Sequence, residues 1–278
     1  MIHWQTSRFR IDLGRPQVMG IVNATPDSFS DGGRFQHVDA AIAHCERLRT
    51  EGVDILDIGG ESTRPGARTP SPAEELARVE PVLRHAVTLG LPVSVDTSEP
   101  LVMRAALELG VDIVNDVRAL QRLGAMELVA AHPTVGICLM HMRGEPGTMQ
   151  VDACYDDVVR DVQEFLADRA QQLTQRGVAV DRITVDPGIG FGKTAEHNVA
   201  LLQRQRELLA LGYPLLVGWS RKSTLGVLTG RAVADRLAAS IAAALAAVQH
   251  GARIVRVHDV AATVDALKVW AAAQAISA

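Results

Sequence analysis

Lysine is nearly absent from this chain: of 28 basic residues only three, Lys193, Lys222 and Lys268, are lysine. Arginine carries the rest of the positive charge. A lysine kept at the end of an apolar run therefore points to a specific task, with chance placement as the competing reading. Aromatic residues are also scarce, 4% of 278 residues against 47% hydrophobic overall, so the core must be built from Ala, Leu, Val and Ile. That composition fits helices packed on a parallel sheet. The three cysteines, Cys45, Cys138 and Cys154, form no Cys-x-x-Cys pair, and their odd number argues against a full disulfide framework. A reducing, cytoplasmic setting is expected. No apolar run approaches the ~20 residues of a membrane span. The longest uncharged Ala/Leu/Ile stretch, 237–250, reads as a buried or subunit-facing helix. The N-terminal segment has no apolar core of a secretory signal. A net charge of −4 leaves no overall footprint for nucleic acid or an anionic membrane.

What is present is a rhythm. Eight short apolar runs occupy 18–22, 54–58, 92–95, 112–114, 135–140, 182–185, 215–217 and 253–257. They are followed by Asn23, Glu61, Asp96, Asn115 with Asp116, His141, Asp186, Ser220 to Lys222, and His258. Seven of the eight intervals leave room for a helix. The pattern predicts a single α/β domain over 1–278, a (β/α)8 TIM barrel, whose polar strand ends would form one ring around one pocket. A doubly wound open sheet is the alternative architecture. Helical spacing is read over 39–51, 72–89, 100–109, 155–176, 198–211 and 232–250, with Gly ending the first five. Residues 1–16 read as a short extended lead-in at the barrel base. Two long Gly/Pro/Ser-rich loops, 23–38 and 59–71, would sit on the C-terminal face as a mobile lid.

The strand ends carry distinctive segments. In order they are Asn23-Ala-Thr-Pro-Asp27-Ser-Phe29, Gly59-Gly-Glu61-Ser-Thr63-Arg64-Pro65-Gly66, Ser94-Val-Asp96-Thr97 and Val114-Asn115-Asp116. There follow Asp186-Pro-Gly-Ile-Gly190-Phe191-Gly-Lys193, Gly218-Trp219-Ser220-Arg221-Lys222-Ser223 and Arg256-Val-His258. Read singly, Asp96 and Asp186 are equally good helix caps, His258 a structural histidine and Arg256 a surface ion pair. Together and in this order, the segments closely resemble the dihydropteroate synthase family, from Val18 to the last helix.

The resemblance implies a transferase of folate biosynthesis. It would join a dihydropterin pyrophosphate to p-aminobenzoate, giving dihydropteroate and pyrophosphate. It implies pterin recognition by Asp96, Asn115, Asp186 and Lys222, with Met140 and Gly218 against the ring. Carboxylates and carboxamides are the natural partners of the pterin's N–H edge. Pyrophosphate would fall to Asn23, Thr63, Arg64, Arg256 and His258, with Mg2+ held by Asn23 and phosphate oxygens. The p-aminobenzoate site would comprise Phe29, Thr63, Arg64, Pro65, Phe191, Lys222 and Ser223, and would admit sulfonamide inhibitors. Lys222, Arg256, His258 and Asp96 are the expected catalytic residues, acting by positioning and leaving-group stabilisation. A homodimer through late helices is implied. The alternatives are a corrinoid-linked pterin methyltransferase barrel and a non-catalytic pterin-binding paralogue. The first is disfavoured by the intact Arg256-Val-His258 and Asn23 segments, the second by the intact motifs of the two loops, 23–38 and 59–71.

Overall fold

The computed structural model describes residues 2–25, 34–62, 68–145, 149 and 153–275. A small antiparallel hairpin, β1 (His3–Gln5) and β2 (Arg10–Asp12), precedes eight parallel strands. These are β3 (Gln17–Asn23), β4 (Ile55–Gly59), β5 (Val93–Asp96), β6 (Ile113–Asp116), β7 (Gly136–Met140), β8 (Ile183–Asp186), β9 (Leu216–Val217) and β10 (Ile254–Val257). The sheet runs β8-β7-β6-β5-β4-β3-β10-β9, and a bridge between Val185 and Leu215 closes it into a barrel.

All eight strands, not seven, are followed by a helix. The helices are α1 (Arg34–Thr50), α2 (Pro72–Ala86), α3 (Pro100–Glu108), α4 (Ala125–Ala131), α5 (Val158–Gln175), α6 (Ala195–Gln203) with α7 (Gln205–Leu208), α8 (Ser223–Thr229) with α9 (Leu237–Gln249), and α10 (Val260–Ala275). Gly52 and Gly177, both at φ 86°, make the left-handed turns expected after α1 and α5. Several helices differ from the periodic reading: α1 starts at Arg34, five residues before 39 and inside the expected loop 23–38, and α2 ends at Ala86 rather than at 89. The 155–176 helix starts at Val158, because the Asp157 carboxylate accepts from the N–H groups of Val159 and Arg160. The 198–211 segment is divided into α6, α7 and a 3-10 turn. The 232–250 segment begins as a 3-10 turn and becomes α9 only at Leu237.

Strand alternation explains what is inside the barrel. One face of each strand packs on the helices: Val18 and Val22, Leu56 and Ile58, Val93 and Val95, Val114, Ile137 and Leu139, Ile183 and Val185, Val217, Val255 and Val257 all belong to the outer core. The other face points to the barrel axis. Its lowest layer is Met19, Ile55, Ile113, Cys138, Leu216 and Ile254, plugged from beneath by Trp4, Ile11 and Leu13 of the lead-in. The indole N–H of Trp4 donates to the Arg182 carbonyl at 2.9 Å, so the lead-in seals the base. Two to four residues further up, the same inward parity selects Asn23, Asp57, Asp96, Asn115, Met140, Asp186, Gly218 and Arg256. The apolar floor and the polar top are therefore one alternation read at two heights.

Candidate active site

Above the floor lies a cavity of about 830 Å3. Among the residues named in advance, Asn23, Asp96, Asn115, Met140, Asp186, Phe191, Gly218, Lys222, Ser223, Arg256 and His258 line it. Phe29, Thr63, Arg64 and Pro65 lie outside the described residues, as do 26–33 and 63–67 of the two loops expected to form a lid, while 34–38 of the first loop is already helix α1. His141 and Lys193 are not part of the wall. They pair beneath it, where the buried Lys193 ammonium donates to the carbonyls of Gly188 and Phe191 at 3.0 Å and sits 2.9 Å from His141 Nδ1.

Asn115 and Asp186 are among the least exposed polar groups of the wall, at 4% and 5%. Asp186 Oδ1 accepts the Gly188 N–H at 2.7 Å, which fixes the turn leaving β8. Burial pushes the Asp186 carboxyl up to about 6, opposed by that hydrogen bond and by the nearby Lys222 and Arg256. The turn is tight: at Gly188, φ 66°, a Cβ would stand 1.9 Å from the His141 carbonyl oxygen. It delivers Phe191 into a small apolar cluster with Val117, Met140 and Met149. The Lys222 ammonium lies 4.1 Å from the Phe191 ring centroid, a cation–π contact. Burial and the neighbouring Arg256 cation lower Lys222 to about 8.

Arg256 is not a surface ion pair. Its Nε donates to Asp57 Oδ2 at 2.6 Å and its Nη2 to Asp96 Oδ2 at 2.7 Å. Asp96 is thus bound to a cation across the barrel rather than capping α3, whose N-cap Glu99 makes no side-chain cap bond. Burial lifts the Asp96 carboxyl to about 7; Arg256 pulls it down, while Asp57 adds to the rise. Asp57 was missed in the sequence. It is fully buried, and its Oδ2 also accepts from the Asn115 amide at 3.3 Å. An acid in the middle of an apolar run, on the inward parity, was the available signal.

His258 stands beside Arg256, with Nδ1 and the backbone N both 3.1 Å from Ser220 Oγ. The Ser220 hydroxyl accepts the backbone N–H and has its own O–H to offer Nδ1; in the tautomer with Nδ1 as acceptor, Nε2–H is the donor. Burial and Arg256 hold His258 down at about 3, so it is neutral near pH 7. The Ser220–Lys222 corner is held by Ser240 Oγ, which accepts the Arg221 N–H at 3.0 Å, and by the pairing of Arg221 with Asp259.

Among the described residues no group of three or more His, Cys, Asp or Glu could cage a metal. Asn23, at the end of β3 on the cavity wall, offers one neutral carboxamide oxygen. That donor set fits a hard cation carried mainly by substrate oxygens and does not fit a resident transition metal.

This arrangement joins hydrogen-bonding groups for a flat heterocycle to fixed cationic and neutral donors for a leaving anion. The comparisons agree with it. The profile of the family described as "Pterin binding enzyme" matches residues 19–258. The dihydropteroate synthase of Neisseria meningitidis serogroup B is 56% identical over 275 residues, covering 97% of this chain and 96% of the relative. The Burkholderia cenocepacia dihydropteroate synthase, solved with 7,8-dihydropteroate, superposes with a TM-score of 0.90 at 49% identity, over 99% of this chain and 98% of that one. The Yersinia pestis dihydropteroate synthase, solved as a sulfonamide drug complex, gives a TM-score of 0.93 at 43% identity over 99% and 100%. The chain belongs to the pterin-binding enzymes, in the dihydropteroate synthase family.

Proposed function

We propose that the protein joins 6-hydroxymethyl-7,8-dihydropterin pyrophosphate to p-aminobenzoate, forming 7,8-dihydropteroate and pyrophosphate. The observation that carries this is the convergence of Asp96, Asn115, Asp186 and Lys222 with Arg256 and His258 in one cavity. The first four match the donor and acceptor edge of a pterin. The last two match the polyanion that departs.

In this reading Asn115 and Asp186, both well buried in the cavity wall, accept the pterin amide and amino N–H groups, and Met140 packs on the ring. The free Nη1 face of Arg256 and the Nε2–H of His258 donate to the pyrophosphate as the C–O bond breaks. The aryl amine is already neutral at pH 7, so its lone pair forms the C–N bond without a dedicated base, and its surplus proton leaves afterwards to solvent or pyrophosphate. Phe191, Lys222 and Ser223 hold the arylamine, with Phe29, Thr63, Arg64 and Pro65 completing that side. Sulfonamides, as neutral-to-anionic arylamines, enter the same place. Asn23 supplies one oxygen ligand to Mg2+, which neutralises phosphate charge when bound.

A homodimer is part of the proposal. The late helices carry exposed apolar side chains, Val227 and Leu228 on α8, Leu237 on α9 and Val269 on α10, that a second copy could cover. No helix among the described residues is long and apolar enough to cross a membrane, which is compatible with the proposed cytoplasmic setting. Neither alternative class finds support, since the relatives matched over nearly their full length are synthases. The deciding assay mixes purified protein, pterin pyrophosphate, p-aminobenzoate and Mg2+. Pyrophosphate release that requires the amine is expected; tight pterin binding with no turnover would refute the proposal.

A further inference from the structure

The turn after β6 holds two successive non-glycine residues in left-handed backbone, Ala119 at φ 50° and Leu120 at φ 60°. Such a pair is costly for L-residues and persists only where its surroundings over-determine it. Here they do. Asp116 Oδ1 accepts the Arg118 N–H and Oδ2 accepts the Leu120 N–H, each at 2.8 Å. Arg169 of α5 donates Nε to the Ala119 carbonyl and Nη2 to the Leu120 carbonyl, both at 2.8 Å. Ser98 also donates to Asp116.

The turn sends the Arg118 side chain across the rim of the barrel. Its guanidinium grips Glu61 through both oxygens, Nη1 to Oε2 at 3.0 Å and Nη2 to Oε1 at 3.1 Å. Nη1 also meets Ser98 Oγ at 3.0 Å, and Nε meets Glu145 Oε2 at 3.0 Å. The Arg118 and Glu61 side chains are only 5% and 7% exposed, so solvent does little to screen them. One arginine thereby ties together the chain leaving β4, β5, β6 and β7.

Glu61 and Ser62 belong to the cavity wall, two and three residues past the end of β4 and hence at its rim rather than its floor. A carboxylate there, if free, would face incoming anions. Its neighbourhood is already acidic: Glu75 of α2 is buried, its Oε1 has no partner, and burial together with Glu61 and Glu99 pushes it up to about 7. A bidentate guanidinium is the group suited to turning such a carboxylate aside and cancelling its charge.

We infer that Arg118 is a positioning residue for the amine substrate: by holding and neutralising Glu61, it lets the cavity rim accept an anionic arylamine. The inference rests on the proposed function for the identity of that amine. Its signature is dependence on substrate charge, which a merely structural role would not produce.

The test compares wild type, Arg118→Met, Arg118→Lys and Arg118→Met/Glu61→Gln with p-aminobenzoate and with its uncharged analogue 4-aminobenzamide. Arg118→Met should raise KM for p-aminobenzoate about ten-fold, the scale of one uncompensated like charge in a partly wet site, and KM for the amide less than two-fold. Adding Glu61→Gln should return KM for p-aminobenzoate to within about three-fold of wild type. If Arg118→Met does not fold, the same comparison is read from the double variant, with KM near wild type for both amines, and from Arg118→Lys. The lysine keeps the charge but not the two-pronged grip, so it should raise KM for p-aminobenzoate more than for the amide. Equal losses for both amines, or a double variant no better than Arg118→Met, would overturn the inference. Absence of turnover by wild type would instead overturn the proposed function.

Discussion

Replacing Arg256 by methionine should cost stability in a pH-dependent way, because two carboxylates depend on one guanidinium. Asp57 is fully buried and its Oδ2 lies 2.6 Å from Arg256 Nε. Asp96, with a side chain 16% exposed, lies 2.7 Å from Nη2. Removing one partner of a buried ion pair typically costs about 3–5 kcal/mol, since the remaining charge has neither water nor counterion. At roughly 2–3 °C per kcal/mol for a domain of this size, the melting temperature should fall by roughly 6–15 °C at pH 8. The sign follows from Asp96. Its folded-state pKa, about 7 through burial, lies above that of the unfolded chain, so its contribution is fully present at low pH and is lost as pH rises through 7. Without Arg256 the carboxyl moves still higher and the loss deepens. At pH 5 Asp96 is protonated and uncharged in the folded variant, and the deficit should shrink by about half. Thermal denaturation of both proteins across pH 5–8 measures this. A deficit that stays the same at both ends, or one under about 2 °C at pH 8, would refute the reasoning. Turnover should fall by roughly 10²–10³-fold, as for loss of a preorganised donor to a developing anion.

Other outcomes follow from the same geometry. Pterin affinity, measured calorimetrically, should rise with pH as Asp186 ionises near 6 and fall as Lys222 loses its proton near 8, giving a bell. Asp186→Asn should leave an acid limb set by Asp96 near 7 alone, and an unchanged bell would contradict the assignment. Gly188→Ala should lower the melting temperature by more than about 5 °C and impair pterin binding, because its Cβ would meet the His141 carbonyl oxygen at 1.9 Å. Substitution of Phe29 or Pro65 should weaken sulfonamide binding more than pterin binding, and equal losses would remove that separation.

The barrel and most of its ring were legible because both follow from alternation. Runs of three to six mostly apolar residues leading into Asn, Asp, Lys or His fix which side chains face the axis. The order of the segments around Asp96, Asp186, Lys222 and His258 then singled out one family among many barrels. What stayed hidden depends on pairing across the barrel. Nothing local tells Asp57 that Arg256, 199 positions away, will be its partner. Arg118 likewise carries no local sign of its partners, since the left-handed backbone that aims it occurs at Ala119 and Leu120, where glycine would be expected. The helix over 198–211 was overextended because its apolar spacing continues smoothly through Arg204, where the chain in fact re-caps and turns.

The scarcity of lysine makes this cavity selectively addressable by covalent chemistry. Lys268 sits on the outer surface of α10, its side chain 72% exposed. Lys193 is enclosed by carbonyls and an imidazole. Lys222 alone combines access from the cavity with a pKa near 8, so a useful fraction is free amine at mildly alkaline pH. Guanidinium groups stay protonated and do not compete as nucleophiles. An aldehyde or activated ester built on a pterin-like ring would therefore find a single lysine within reach of the pocket, with Lys268 the one lysine left to compete on the arginine-coated exterior.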